Sequence, residues 1–279
     1  MLQAVSSVHD VQHVRSTQSD IANLTASFHD SKVHLLLAAS GSVATIKLPL
    51  IIQALSHHPN LSIRVLLTPS ARRFLAGQSA EQPTVSSLYD HSCVDAVYFD
   101  EDEWKEPWKR GNSILHIELR RWADMLVIAP LSANTMAKIV WGMADGIITS
   151  VVRAWDARGE LDSDVGRDLP VGAGAAAAAT TANGAASRSQ QTGRHGKIKR
   201  IIVAPAMNTA MWRHPVTESQ IKVLSEDWGV GKQGKGAGWF EVLPPQQKTL
   251  ACGDIGDGAM MEWSEIVKVI EDRLGLKQT

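Results

Sequence analysis

The sequence is poor in cysteine, in net charge and in long apolar runs. Its two cysteines, Cys93 and Cys252, lie far apart in the chain. They exclude a disulfide framework and a four-cysteine zinc site, and they suit a reducing compartment. The formal charge is −1, which gives no general pull toward nucleic acid or an anionic membrane. No apolar stretch approaches the length needed to cross a bilayer. Residues 1 to 31 lack the apolar core of a signal peptide, and Arg15 alone is too little for a transit peptide. The expectation is a cytoplasmic protein with no nucleic-acid or membrane partner and no metal site. Nine tryptophans are present; Trp122, Trp155 and Trp263 fall at apolar helix positions and read as packing residues.

A chain of 279 residues with 44% hydrophobic content suits one large domain or two small ones. Val33 to Ala39 is a short, nearly continuous apolar run, as expected for a strand covered on both faces. A helical stretch from Val43 to about Ser56 follows. Leu61 to Thr68, part of Asp95 to Asp102 (ending in an acidic turn), Met125 to Pro130, Ile201 to Pro205 and Trp239 to Leu243 read as further strands. Between and after them, helices are expected at 70–75, 114–122, 134–141, 147–155, 215–227 and 263–274. Buried strands alternating with amphipathic helices predict an α/β fold, a single doubly wound, mainly parallel sheet. The expected domain runs from 32 to 274, with a loose tail at 1–31 and a short one at 275–279. From about 157 to 197 the chain is rich in Ala, Gly, Ser and Thr. It cannot bury enough apolar surface to offset its ordering entropy, and reads as a disordered insertion. A smaller Gly- and Lys-rich insertion spans 229–238.

Several segments are not needed to fill a core. Ser40-Gly41-Ser42-Val43-Ala44 lies where the first strand hands over to a helix, a position whose free N–H groups favour a phosphate. The plain alternative is a capped turn. There is no complete GxGxxG, and the second strand ends in Leu67-Thr68-Pro69-Ser70 without the acidic residue that holds a ribose diol. A mononucleotide therefore fits better than a dinucleotide. Ser132-Ala133-Asn134-Thr135 repeats the design after another strand, again open to a capping role alone. Two such polar turns on one sheet edge favour a shared ligand crevice. Asn208 follows an apolar strand and is free either to close an Asx turn or to grip a small polar group. Cys252 sits in a flap punctuated by Gly253, Gly256 and Gly258, a setting unlike a core position. His116 is helical, with Glu118, Arg120 and Arg121 nearby; alone it reads as a structural histidine.

Together, Gly41-Ser42-Val43-Ala44, His116 to Asp124, Pro130 to Thr135, Arg153 to Asp156, Pro205-Ala206-Met207-Asn208 with Met211-Trp212, and Ala251 to Asp254 resemble the flavin-dependent cysteine decarboxylase family. The resemblance covers about 33 to 270 apart from the two insertions. It implies a flavodoxin-like fold, bound FMN and a homotrimer. The implied activity is decarboxylation of 4′-phosphopantothenoyl-L-cysteine to 4′-phosphopantetheine in coenzyme A biosynthesis. The substrate's acylated nitrogen cannot form a Schiff base. Oxidising its thiol to a thioaldehyde provides an electron sink β to the carboxylate, carbon dioxide leaves, and the ene-thiolate is then protonated and reduced. By resemblance, Gly41, Ser42, Val43, Thr68, Ser70, Ser132, Ala133, Asn134 and Thr135 meet the flavin, with Ala206 beside its ring system. His116 is the base or positioning group, Asn208 holds the carboxylate, and Cys252 protonates the ene-thiolate. Ala251 and Met260 line the substrate. The flavin and His116 are expected from one subunit and the Asn208 segment from its neighbour. One departure concerns the flap: the family's Arg three residues before the Cys is Thr249 here, with Lys248 adjacent. Lys offers a point charge where Arg offers a bidentate fork.

Some relatives of this type inhibit a protein phosphatase, or form one subunit of a mixed decarboxylase. They tend to carry acidic tails and to lose the Asn or the Cys. Other relatives stop at the ene-thiol. The coexistence of His116, Asn208 and Cys252 favours the complete enzyme.

Overall fold

The computed structural model describes residues 17–79, 82–105, 107–161, 198–231, 238–249 and 255–276. A six-stranded parallel sheet runs through the molecule in the order β3-β2-β1-β4-β5-β6. Its strands are β1 (Val33–Ala39), β2 (Leu61–Leu67), β3 (Val94–Tyr98), β4 (Met125–Leu131), β5 (Arg200–Pro205) and β6 (Phe240–Val242). Leu37 of β1 pairs with Val65 on one side and Val127 on the other. The order reverses between β1 and β4, the topological switch point where open α/β sheets bind ligands. The fold is the expected doubly wound, flavodoxin-like type.

Alternate side chains of each strand enter two separate cores. Leu35, Leu37, Val127 and Ile202 face one, together with Leu48, Ile52, Ile266 and Ile270 from α2 (Leu48–Leu55) and α9 (Trp263–Leu274). Leu36, Leu126, Ile128 and Val203 face the other, with α4 (Leu115–Trp122), α5 (Ala133–Val140) and α6 (Ile147–Arg153). Because both faces are covered, the strand sequences are continuously apolar rather than alternating.

The structure departs from the sequence reading at several places. Residues 17–29, expected within a loose tail, form α1 (Thr17–Ala26) and a 3₁₀ turn, with Leu24 fully buried and Ile21 and Phe28 packed on the second core. Three anchors in an otherwise polar segment leave little periodicity to read. The stretch after β1 is a 3₁₀ turn, Val43–Lys47, before α2; Pro49 in the first turn of α2 fixes where the helix starts. The helix expected over 215–227 is α8 (Pro215–Lys222) continued by a five-residue π-helical segment. A hairpin of β7 (Gln246–Thr249) and β8 (Ile255–Ala259) adds to the expected elements; a Gln- and Lys-containing strand paired with one holding two glycines carries little strand propensity. Two short helices, α3 (Pro69–Phe74) and α7 (Thr209–Trp212), follow β2 and β5. Most of the 157–197 insertion, and 232–237 of the smaller one, lie outside the described residues.

At the edge of the sheet, Glu241 of β6 accepts from Arg273 of α9 at 2.8 Å and from Arg200 of β5 at 3.2 Å. Burial works to raise the Glu241 pKa, but Arg273 and then Arg200 outweigh it, so the carboxyl titrates below its ordinary 4.5. A lowered folded pKa means stability present in full above the ordinary value and lost as pH falls through the folded one. Both arginines are partly exposed, so the worth is about 0.5–1 kcal/mol. Glu241→Gln should lower urea stability by that amount at neutral pH, and the difference should vanish in acid below the folded pKa.

Candidate functional site

Four strand-to-helix turns converge at the carboxyl edge of the sheet and enclose a cavity of about 910 Å³. Gly41, Ser42, Val43, Thr68, Ser70, Ser132, Ala133, Asn134, Thr135, Ala206, Asn208 and Met260 all line it. Each turn is capped. Ser42 Oγ accepts from Ala44 N–H at 3.4 Å, Thr68 Oγ1 from Ala71 N–H at 3.1 Å, and Ser132 Oγ from Thr135 N–H at 3.3 Å. Capping and ligand binding are therefore compatible here, since a cap satisfies only one N–H of a helix start. Among the described residues, the N–H groups of Gly41, Val43, Ala133 and Asn134 keep no protein acceptor. A set of free amides at helix starts suits the phosphate of a mononucleotide.

Two close approaches shape the cavity. A Cβ on Gly41 would lie 2.6 Å from Ser70 Cβ, so only glycine lets the first turn meet the second. Ser40, fully buried, ties the two sides of the switch point. Its Oγ donates to Pro130 C=O at 3.0 Å and accepts from Ser132 N–H at 2.7 Å. Sequence reasoning singled out its neighbours but missed this role, because the partners are some ninety residues away in the chain.

Asn208 caps α7: its Oδ1 accepts from Met211 N–H at 2.8 Å. Its Nδ2 has no protein partner among the described residues and remains available to a carboxylate. The hairpin docks beside it. Met207 N–H donates to Gly258 C=O at 2.9 Å, and a Cβ on Gly258 would meet Met207 O at 2.3 Å. The connection between β7 and β8 carries Ala251 and Cys252, which lie outside the described residues; of Lys248 only the backbone is described.

His116 is placed elsewhere. It opens α4, does not line the cavity, and pairs not with Glu118 but with Glu103. Glu103 Oε1 is 2.9 Å from His116 Nδ1, and Oε2 accepts the His116 backbone N–H at 3.2 Å. A carboxylate accepting from Nδ1 leaves Nε2 as the basic nitrogen of the neutral ring. Glu103 is the second residue missed; the acidic turn after β3 was its only trace in the sequence. It lines a separate cavity of about 600 Å³ with Trp104, Trp108 and Ile114. Within one chain, Asn208 shares a cavity with the polar turns, and His116 lies outside it.

On the cavity wall, burial pushes Asp100 above the ordinary carboxylate value of 3.8, while Ile147 N–H, donated to it at 2.8 Å, opposes the shift. Asp145 is lowered by its contact with Lys138.

Fold, switch-point cavity and free amide cradle together define an α/β flavoprotein-type site. The flavoprotein family profile matches residues 24–161 and 183–275. A phosphopantothenoylcysteine decarboxylase from Arabidopsis thaliana is 36% identical over 86% of this chain and 84% of its own. A probable thymidylate synthase from Schizosaccharomyces pombe is 37% identical over 89% of this chain, which spans only 30% of that relative's length. Among solved structures, a PPC decarboxylase with a cysteine-to-serine change, complexed with pantothenoylaminoethenethiol, is 35% identical with a TM-score of 0.62. It aligns over 88% of this chain and 99% of its own. The FMN-binding protein AtHal3 is 35% identical with a TM-score of 0.60, over 89% of this chain and 100% of its own. The chain belongs to the flavoprotein family, within its phosphopantothenoylcysteine decarboxylase branch.

Gly41→Ala should destabilise the protein by about 1–3 kcal/mol, the usual range for forcing in one methyl. Adding Ser70→Gly removes the atom it strikes and should restore most of the loss in urea denaturation. Failure of the double change to recover stability would mean that the two turns do not meet as described.

Proposed function

We propose that the chain is an FMN-dependent decarboxylase of 4′-phosphopantothenoyl-L-cysteine, yielding 4′-phosphopantetheine, and that it works as a homotrimer in the cytoplasm. One observation carries the reading: the free amides of two capped turns and the unpartnered Nδ2 of Asn208 open into a single cavity. Family membership and the decarboxylase relatives supply its chemical identity. The donor set fits FMN: the amides of Gly41, Val43, Ala133 and Asn134 would hold its phosphate, and Ala206 would border its ring system. When bound, that cofactor supplies a two-electron acceptor and donor, making the net reaction redox-neutral.

The protein's own groups do the rest. Asn208 Nδ2 donates to the substrate carboxylate and holds it for departure as carbon dioxide. His116, with Nδ1–H given to Glu103, presents Nε2 to the substrate thiol and takes its proton. Cys252, on the hairpin connection with Ala251 beside it, returns a proton to the ene-thiolate carbon; Met260 packs at the cavity's substrate end, and Lys248 supplies a cation. A serine hydroxyl is a far weaker acid than a thiol of pKa near ~8.5. Cys252→Ser should therefore release carbon dioxide yet yield a product lighter than 4′-phosphopantetheine by one pair of hydrogens. Normal product at the normal rate would remove Cys252 from this role.

The trimer reading is supported by the separation of His116 from the cavity, since a site using both Asn208 and His116 needs a second copy. The large exposures of Trp104, Trp108 and Trp141 (65%, 53% and 78%) suit burial between subunits. No described helix is long and apolar enough to cross a membrane. His116→Asn should retain FMN and lose about 100-fold or more in turnover. Co-expressing His116→Asn with Asn208→Asp chains should regain activity in about a quarter of sites, the random-mixing value for a site shared across a symmetric interface. Two inactive chains that stay inactive together would place the whole site within one subunit. Product mass after incubation with phosphopantothenoylcysteine reads every arm.

A further inference from the structure

We propose that His57, His58 and Glu271 form a binding site for a divalent ion of the zinc type, which ties the far end of α2 to the far end of α9. The site is remote from the cavity and shares no residue with it. His57 and His58 follow the last turn of α2, and Glu271 lies near the end of α9. The two helices pack side by side on the first core. Lys47, just before α2, and Trp263, which opens α9, both line the cavity. An ion at the opposite ends would therefore fix two helices whose beginnings shape the ligand site.

The geometry suits a small tetrahedral ion. Nε2 of His58 and Nε2 of His57 lie 3.0 and 3.6 Å from the same Glu271 oxygen, and all three ligand atoms fall within 4.8 Å of one another. A zinc ion with bonds of about 2.0–2.2 Å holds its ligand atoms roughly 3.3–3.5 Å apart. Entry thus needs only small side-chain adjustments. His58 and Glu271 are buried, whereas the His57 side chain is 50% exposed, which leaves the fourth position open to water. Two imidazoles and one carboxylate match zinc-type ions rather than calcium or magnesium, which prefer oxygen donors alone.

A second observation points to a cation at this place. His57 Nδ1 contacts the Ala54 carbonyl, to which only an N–H can be donated. Nε2 then faces the Glu271 carboxylate, 3.6 Å away. The same carboxylate oxygen meets His58 Nε2 at 3.0 Å, so three potential ligand atoms converge on one point. A backbone carbonyl holding one imidazole nitrogen while the other meets the ion is the usual support of a metal-bound histidine. The trio differs in this from a solvated acidic cluster.

The test uses the full-length protein, stripped with a chelator, dialysed, and titrated with Zn²⁺ by calorimetry and with Co²⁺ by visible absorption. The expected result is one ion per chain, the intense visible bands of tetrahedral Co²⁺, and a melting temperature raised by Zn²⁺, because an ion bound only to the folded state stabilises it. His57→Ala removes a half-exposed ligand without touching the core. It should weaken Zn²⁺ binding by more than the about 10- to 100-fold that follows loss of an outer-shell partner, and it should abolish the thermal shift. Glu271→Gln keeps the side-chain shape and should do the same; if that buried change prevents folding, His57→Ala decides alone. Zn²⁺ binding and thermal shift unchanged in His57→Ala would place the ion elsewhere and overturn the proposal. So would an unaltered chain that takes up no Zn²⁺.

Discussion

Burial of the sheet on both faces is the constraint from which the rest follows. β2 and β4 are buried along their whole length and β1 along all but its first residue, so these strands have no surface on which to display a reactive group. Chemistry is confined to their ends, where the chain turns into helices and backbone N–H groups lose their partners. The carboxyl edge concentrates those amides, and the reversal of strand order between β1 and β4 opens a crevice among them. Ser40 holds the crevice at fixed width through Pro130 and Ser132. Gly41 lets the adjacent turn approach Ser70. Neither residue supplies reactive chemistry, yet the position of every free amide depends on them.

The reactive side chains are held by local contacts of modest size. Asn208 uses one end of its amide to cap α7 and keeps the other for a ligand, so a single hydrogen bond of 2.8 Å sets its orientation. Gly258 brings β8 against the same loop, and this seats the hairpin beside Asn208. His116 depends on Glu103, which contacts both its ring and its backbone N–H. Glu103 thereby fixes tautomer and rotamer together, which a surface pair such as Arg72 with Glu101 does not.

The two halves of the candidate site also rest on different supports. The cavity turns are anchored in the sheet, the most deeply buried part of the molecule. The His116–Glu103 pair rests on α4 and on the acidic turn after β3, with exposed Trp104 and Trp108 beside it. In the proposed homotrimer a neighbour would bring the partly buried His116 to the cavity, because an interface can join groups that one chain holds apart.

The sequence by itself determined the sheet and the cavity. Short continuous apolar runs alternating with amphipathic segments suit strands buried on both sides, and Ser, Thr, Asn and Gly at their ends start helices and leave amides free. Those signals are local, so Gly41, Ser42, Ser132 and Asn208 stand out in the sequence itself, whereas Thr68 is singled out only by the family resemblance. The tertiary structure alone decided what depends on contacts between distant segments. It showed that Ser40 joins two strand ends, that Glu103 rather than Glu118 holds His116, that three apolar side chains bind α1 and the turn after it to the core, and that His57 and His58 meet Glu271. It also decided that Asn208 joins the polar turns while His116 does not. Periodicity encodes which face of an element is buried, but not which residue from elsewhere in the chain will be packed against it.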